Sequence, residues 1–302
     1  MENILITGHT LTLEELAAVC RENAPVALSP EAKQRILESR QVVDMLVDEA
    51  AVVYGITTGF GKFSDVTITQ DECKQLQRNL IVTHAVGAGE PFPRDVARGI
   101  MLLRVNNLAK GFSGTRLELV ETLVAMLNRG VTPVIPQKGS LGASGDLAPL
   151  SHMVLPMLGL GQAEYEGEVL PGDVAMARAG IPTVELVAKE GLALINGTQA
   201  MTSVGALAVY DAIRLMKTAD IAAAMSFEAN RGVKDALDPR VHAVRPHDGQ
   251  MKTAANLRNL LLGSGNVTCQ GEVRVQDGYS LRCVPQVHGA SQDAINYVKS
   301  KV

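Results

Sequence analysis

The chain has 302 residues, enough to bury a large core as one large domain or two. Its charged fraction of 20% and apolar fraction of 46% are those of an ordinary soluble globular protein. A net charge of −4 with no basic block argues against nucleic acid and anionic membranes as partners, and 3% aromatics with no Trp argues against a β-sandwich.

The strand signal ILITG, residues 4–8, opens the chain, and no basic region followed by an apolar core precedes it, so no secretory leader is expected. Thr12-x-x-Glu15 is a capping box for a helix over LEELAAVCREN that ends before Pro25. Ser29-Pro30-Glu31 sets a cap, a first-turn proline and an acid in order, for a helix running to near Tyr54-Gly55. Thr69-x-x-Glu72 opens another that ends around Gly87. Helices are expected over 93–110 and 115–129, stopped by Gly111 and Gly130, and EYEGEVL at 164–170 reads as a hairpin.

Beyond about residue 183 the pattern changes to long helices: 184–230, interrupted near Asn196-Gly197, then 248–262, then from 291 onward. The segment 191–210 carries no charge, but Asn196, Thr198, Gln199, Thr202 and Ser203 suit it to a fully buried soluble helix rather than a membrane span. The expected fold class is mainly α: a mixed, mostly helical N-terminal domain over 1–190, followed by the start of a long-helix bundle over 191–302. The final stretch starts as a helix at Ser291 and stops without a cap, as a chain cut inside a bundle would.

Cys20, Cys73, Cys269 and Cys283 lie far apart with no CxxC pair, which fits reduced thiols in a cytoplasmic protein. The histidines show no HExxH-type spacing, so no metal site is expected.

GSLGASGDLAPL, residues 139–150, crowds small residues into one loop. If the backbone bends sharply at Ala143-Ser144-Gly145, the Gly145 amide nitrogen can attack the Ala143 carbonyl carbon and close a five-membered ring. Loss of one water from the ring and one from Ser144 leaves a methylene conjugated to an imidazolone, an electrophile no ordinary side chain supplies. Gly is required because a Cβ would block the approach, and Asp146 is placed to assist proton transfers. The competing reading is a plain helix N-terminus capped by Ser144 or Asp146.

Six stretches bear on that choice: YGITTGFG (54–61), NLIVTHAVGAGEP (79–91), GSLGASGDLAPLSH (139–152), KEGLALINGTQAM (189–201), DPRVHAVRPHDGQ (238–250) and VQDGYSLRCVPQVHGA (275–290). In this order the chain resembles the histidine branch of the aromatic amino acid ammonia-lyases. The resemblance implies a fumarase/aspartase-like helical architecture, of which the C-terminal part would be missing here. It also implies the cofactor 4-methylidene-imidazole-5-one (MIO), formed autocatalytically from Ala143-Ser144-Gly145, with neither metal nor nucleotide. The implied reaction removes ammonia from L-histidine to give trans-urocanate in histidine breakdown, in a cytoplasmic enzyme whose full-length form is a homotetramer.

Residue by residue, the resemblance makes Tyr54 the catalytic base, within glycines Gly55, Gly59 and Gly61 that suit a closely approaching loop. Asp146 and Asn196 would contact the cofactor, Asn196 also the substrate. Arg282 would hold the substrate carboxylate in a bidentate fork, and Tyr279 and Gln276 would orient cofactor and substrate. His84 would meet the substrate imidazole; it follows Thr83, where histidine lyases have Ser, a change that keeps a hydroxyl. A tyrosine or phenylalanine lyase or an aminomutase of the same fold, and an inactive fragment with an uncyclised loop, remain open alternatives.

Overall fold

The structure is a computed structural model, and it describes residues 3–49, 51–53, 55–58, 70–141 and 145–302. Strand β1 (Ile4–Ile6) and β2 (Val26–Leu28) pair in parallel, and helix α1 (Leu13–Arg21) makes the crossover that parallel pairing requires. The capping box forms as the sequence predicts. Thr12 accepts from the Glu15 amide at 3.2 Å, and the Glu15 carboxylate accepts from the Thr12 amide at 2.9 Å.

Helix α2 (Pro30–Asp48) starts at its Ser29 cap but stops well short of the expected end near Tyr54. Its last turn has neither a glycine nor a basic side chain to prolong or mark it, so its end carries no sequence signal. α3 (Gln70–His84), α4 (Arg94–Leu108) and α5 (Leu117–Arg129) follow, and Gly130 ends α5 in the left-handed conformation. β3 (Ala88–Pro91) pairs antiparallel with β5 (Pro136–Lys138). β4 (Thr132–Pro133) joins the expected hairpin β6 (Gln162–Tyr165) and β7 (Glu168–Pro171) in a three-stranded sheet. Between these strands lies α6 (Leu147–Val154), and α7 (Gly172–Arg178) follows them.

The expected helix from 184 begins only at α8 (Glu190–Ile195), breaks at Asn196, and resumes as α9 (Gln199–Ala229). The uncharged stretch is therefore not a helix buried all round. Met201 and Val204 are exposed while Ser203, Ala206 and Leu207 are buried, a one-sided face that the uncharged sequence hides. Then come α10 (Pro239–Ala243), α11 (Asp248–Leu260), α12 (Tyr279–Arg282) and α13 (Val284–Lys299). The last helix starts at Val284, earlier than the Ser291 expected, with Pro285 in its first turn as the overlooked signal. Among the described residues no helix is long and apolar enough to cross a membrane.

The chain divides into two compact units after Leu207, and α9 runs across that division. The core of the first unit gathers Val19 and Cys20 of α1, Ile100, Met101 and Val105 of α4, Leu119 and Leu123 of α5, and Leu150 and Met153 of α6. Each such fully buried side chain contributes roughly 1.5–3 kcal/mol. α4 also buries two arginines on this face. Among the described residues no carboxylate pairs with Arg98; it donates to the Val19 carbonyl at 2.9 and 3.0 Å and to Leu127 at 3.1 Å, closing the last turns of α1 and α5. Burial pulls its pKa down to about 10. The second unit has a smaller core of Phe227, Leu237, Leu257, Leu261 and Val284.

Candidate active site

In the first unit the site is assembled around the break between α8 and α9. α8 ends at Asn196, whose backbone turns to the extended region (φ −87°, ψ 109°). Gly197 follows, and its carbonyl accepts the Asp146 amide at 2.7 Å. Gly145 runs alongside Gly197 in a parallel bridge with φ at +92°. A Cβ on Gly145 would collide with the Gly197 carbonyl, and the positive φ disfavours any other residue there. The Leu141 amide donates to the Gly145 carbonyl at 3.2 Å, which ties together the flanks of the segment between them. Ala143 and Ser144, two of the sequence-derived catalytic residues, lie outside the described residues, as does Tyr54.

Asp146 is wholly buried, and both oxygens of its carboxylate accept hydrogen bonds. Oδ1 accepts from the Ser140 hydroxyl at 2.6 Å, and Oδ2 accepts from the Ala200 and Met201 amides at 2.8 and 3.0 Å. These two amides are among those the first turn of a helix leaves unpaired, and the negative charge sits at the favourable end of the α9 dipole. Asp146 thus fastens the loop to α9.

Sequence reasoning missed a second layer beneath this corner. Arg104, on the buried face of α4, donates to the Gln199 side-chain oxygen at 2.5 Å and to the Ala193 carbonyl at 3.1 Å. Gln199 is buried too, and a Cβ at Gly197 would strike both the Gln199 oxygen and the Arg104 guanidinium. Burial lowers the Arg104 pKa to about 10, and the Asp146 carboxylate works in the opposite sense. The available signal was spacing: Arg98 and Arg104 fall among the buried positions Ala97, Met101, Val105 and Leu108 of a helix.

His84 is the last residue of α3. Its Nδ1 lies 2.8 Å from the Leu80 carbonyl, so Nδ1 carries the hydrogen and a neutral ring keeps Nε2 as an acceptor. Thr83 donates to the Asn79 carbonyl at 2.8 Å. The chain then passes through Gly87, whose amide donates to His152 Nε2 at 3.0 Å, into β3, where Ala88 pairs with Lys138 just ahead of the loop. His84, the Gly145–Asp146 segment and the Asn196 corner therefore belong to neighbouring parts of one unit. Burial lowers the pKa of His152, in keeping with a neutral ring that accepts an amide.

In the second unit, Gln276, Tyr279 and Arg282 come together at the start of α12. Arg282 Nη1 donates to the Gln276 side-chain oxygen at 3.0 Å, and its guanidinium lies 4.6 Å from the Tyr279 ring centre. Its Nε is buried with no hydrogen-bond partner among the described residues. Gln276 and Arg282 line a cavity of about 290 Å³ with Asp277, Gln286 and others. A planar cation with donors to spare beside a polar cavity is suited to a carboxylate. All four cysteines are unpaired. Among the described residues, no group of three or more His, Cys, Asp or Glu is placed to share a metal ion.

The aromatic amino acid lyase family model matches residues 11–302, and the chain belongs to that family. It is 61% identical over its whole length to a histidine ammonia-lyase of Clostridium tetani, of which it covers 59%. The crystal structure of a tyrosine aminomutase from Streptomyces globisporus matches with a TM-score of 0.92 at 36% identity, over 99% of this chain and 60% of that one. That of a histidine ammonia-lyase from Trypanosoma cruzi matches with a TM-score of 0.89 at 41% identity, over 99% and 55%. The chain spans about three-fifths of the length of the relatives it matches.

Proposed function

We propose that the chain serves the elimination of ammonia from L-histidine to give trans-urocanate, with an MIO electrophile made from Ala143-Ser144-Gly145. The observation that carries the reading is the seat of Gly145 and Asp146 on Gly197 and the start of α9. It admits only glycine at 145 and spends a buried carboxylate on holding the loop, more than a plain helix start requires. These residues fit the group: one of its two ring nitrogens would come from Gly145, and Asp146 and the Asn196 corner would hold it. The group supplies the electrophile that makes the amine a leaving group or activates the ring.

The chain's own residues supply the rest. Arg282 binds the substrate carboxylate, with Gln276 holding its fork and Tyr279 stacking on it. His84 presents Nε2 to the substrate imidazole, and its Nδ1 bond to Leu80 fixes the tautomer. Asn196 contacts the substrate from the α8 end, and Tyr54 removes the β-proton as base. The working assembly is a cytoplasmic homotetramer, with domains over 1–190 and 191–302.

The test is a peptide map and a substrate panel. Lys138 and Arg178 bound a tryptic peptide that contains the loop. Loss of two waters from that peptide, and urocanate from L-histidine but no cinnamate or coumarate from phenylalanine or tyrosine, are the expected results. An unmodified peptide removes the electrophile, and a β-amino acid product replaces the lyase with an aminomutase. Light scattering of the purified protein reads the tetramer.

A further inference from the structure

Arg104 stands out among the buried groups because nothing in the reaction uses it. A buried guanidinium without a carboxylate in contact is costly. Among the described residues it is matched only by neutral oxygens: Gln199 at 2.5 Å, Ala193 at 3.1 Å and, weakly, Asn107 at 3.4 Å, with no partner there for Nε. What it meets is also specific. Ala193 belongs to α8 and Gln199 is the first residue of α9, so one planar fork spans the break between the two helices. Gly197, inside that break, lies against the fork on one side and against Gly145 on the other.

We infer that Arg104 is a positioning residue for ring closure: it fixes the Asn196–Gln199 corner on which Gly145 and Asp146 are seated. The inference rests on the loop reading proposed above. In the closure, the Gly145 nitrogen bonds to the Ala143 carbonyl carbon and its proton passes to that oxygen. The oxygen then leaves as water with the Ser144 amide hydrogen, forming a carbon–nitrogen double bond. The Ser144 hydroxyl and α-hydrogen leave as the second water. No oxidant or co-reactant is needed, so the rate depends on how closely the backbone is held. A corner free to relax would let Gly145 withdraw from the approach.

Arg104→Lys keeps a positive charge but cannot span Ala193 and Gln199 with a planar fork. The experiment samples the newly synthesised chain over time and follows loss of two waters from the peptide bounded by Lys138 and Arg178. Arg104→Lys is run beside the unaltered chain and beside Leu123→Ala, a core variant in α5 destabilised away from the loop. The unaltered chain and Leu123→Ala are expected to close fully. Arg104→Lys is expected to close about tenfold more slowly or worse, the scale on which a small misplacement slows a proximity-driven step. If Arg104→Lys does not fold, Gln199→Met, which removes only the Arg104 partner, takes its place with the same expectation. Equal closure in all chains overturns the inference and leaves the loop reading standing. Equal slowing in Leu123→Ala also overturns it, by tracing the effect to general stability. An unmodified loop in the unaltered chain overturns the loop reading and this inference with it.

Discussion

The two clusters of site residues are built in opposite ways. In the first unit, the Gly145–Asp146 seat draws on α4, the loop, the α8 end and the α9 start, and its carboxylate and guanidinium are buried. In the second, Gln276, Tyr279 and Arg282 come from one short stretch, and Tyr279 is 74% exposed. The first is part of the core, so its chemistry and its stability cannot be varied separately. The second can lose function while the fold stays intact.

Substitutions that separate stability from activity test this contrast. The largest effect is expected from Gly145→Ala, which drives a Cβ into the Gly197 carbonyl at a left-handed φ. It should cost about 4 kcal/mol in urea unfolding and abolish loss of water from the loop. Next is Asp146→Ala, which strands the Ala200 and Met201 amides and the Ser140 hydroxyl. About 3 kcal/mol should be lost, again read by urea unfolding. Arg282→Lys should move stability by no more than about 0.5 kcal/mol. On the proposed function it should still weaken substrate binding roughly tenfold or more, seen as a raised KM for L-histidine. If Arg282→Lys proved as destabilising as Asp146→Ala, the contrast would be lost.

The smallest effect concerns pH. Burial holds His152 below the ordinary histidine pKa of ~6.5, so the folded chain takes up its proton less readily than the unfolded chain. Its contribution to stability is present above that value and is lost as pH falls below it. His152→Gln keeps an acceptor for the Gly87 amide and has no proton to gain. Its urea midpoint should therefore fall less between neutral and mildly acid pH than that of the unaltered chain.

The same contrast explains what the sequence made legible. Local signals were readable: the Thr12–Glu15 box, the Ser29 cap, the Gly130 stop and the 162–171 hairpin are each set by neighbours within a few residues. Gln276, Tyr279 and Arg282 were reached through the resemblance, and only the structure shows that Arg282 meets both of the others. Arg104 and Gln199 were not, because they are 95 residues apart and a lone arginine in a helix normally means solvent. Only its place among Met101, Val105 and Leu108 marks it as buried. The α2 end at Asp48 had no cap to announce it, and β2 is recognisable only once β1 lies beside it. Tyr54 rests on the resemblance alone, and Ala143 and Ser144 on the resemblance and the chemistry of their loop, since all three lie outside the described residues.

The contact of Gly145 with Gly197 also bears on how the protein can be altered by random mutagenesis and selection. Each glycine excludes a side chain on account of what lies against it, so changing one does not make room at the other. A library that diversifies both positions spends most of its members on chains that cannot seat the loop. Leu141 is the opposite kind of position: its backbone is bonded to Gly145 while its side chain is 76% exposed. Variation placed there leaves the backbone bond in place, and it offers selection a foothold beside the loop that the two glycines deny.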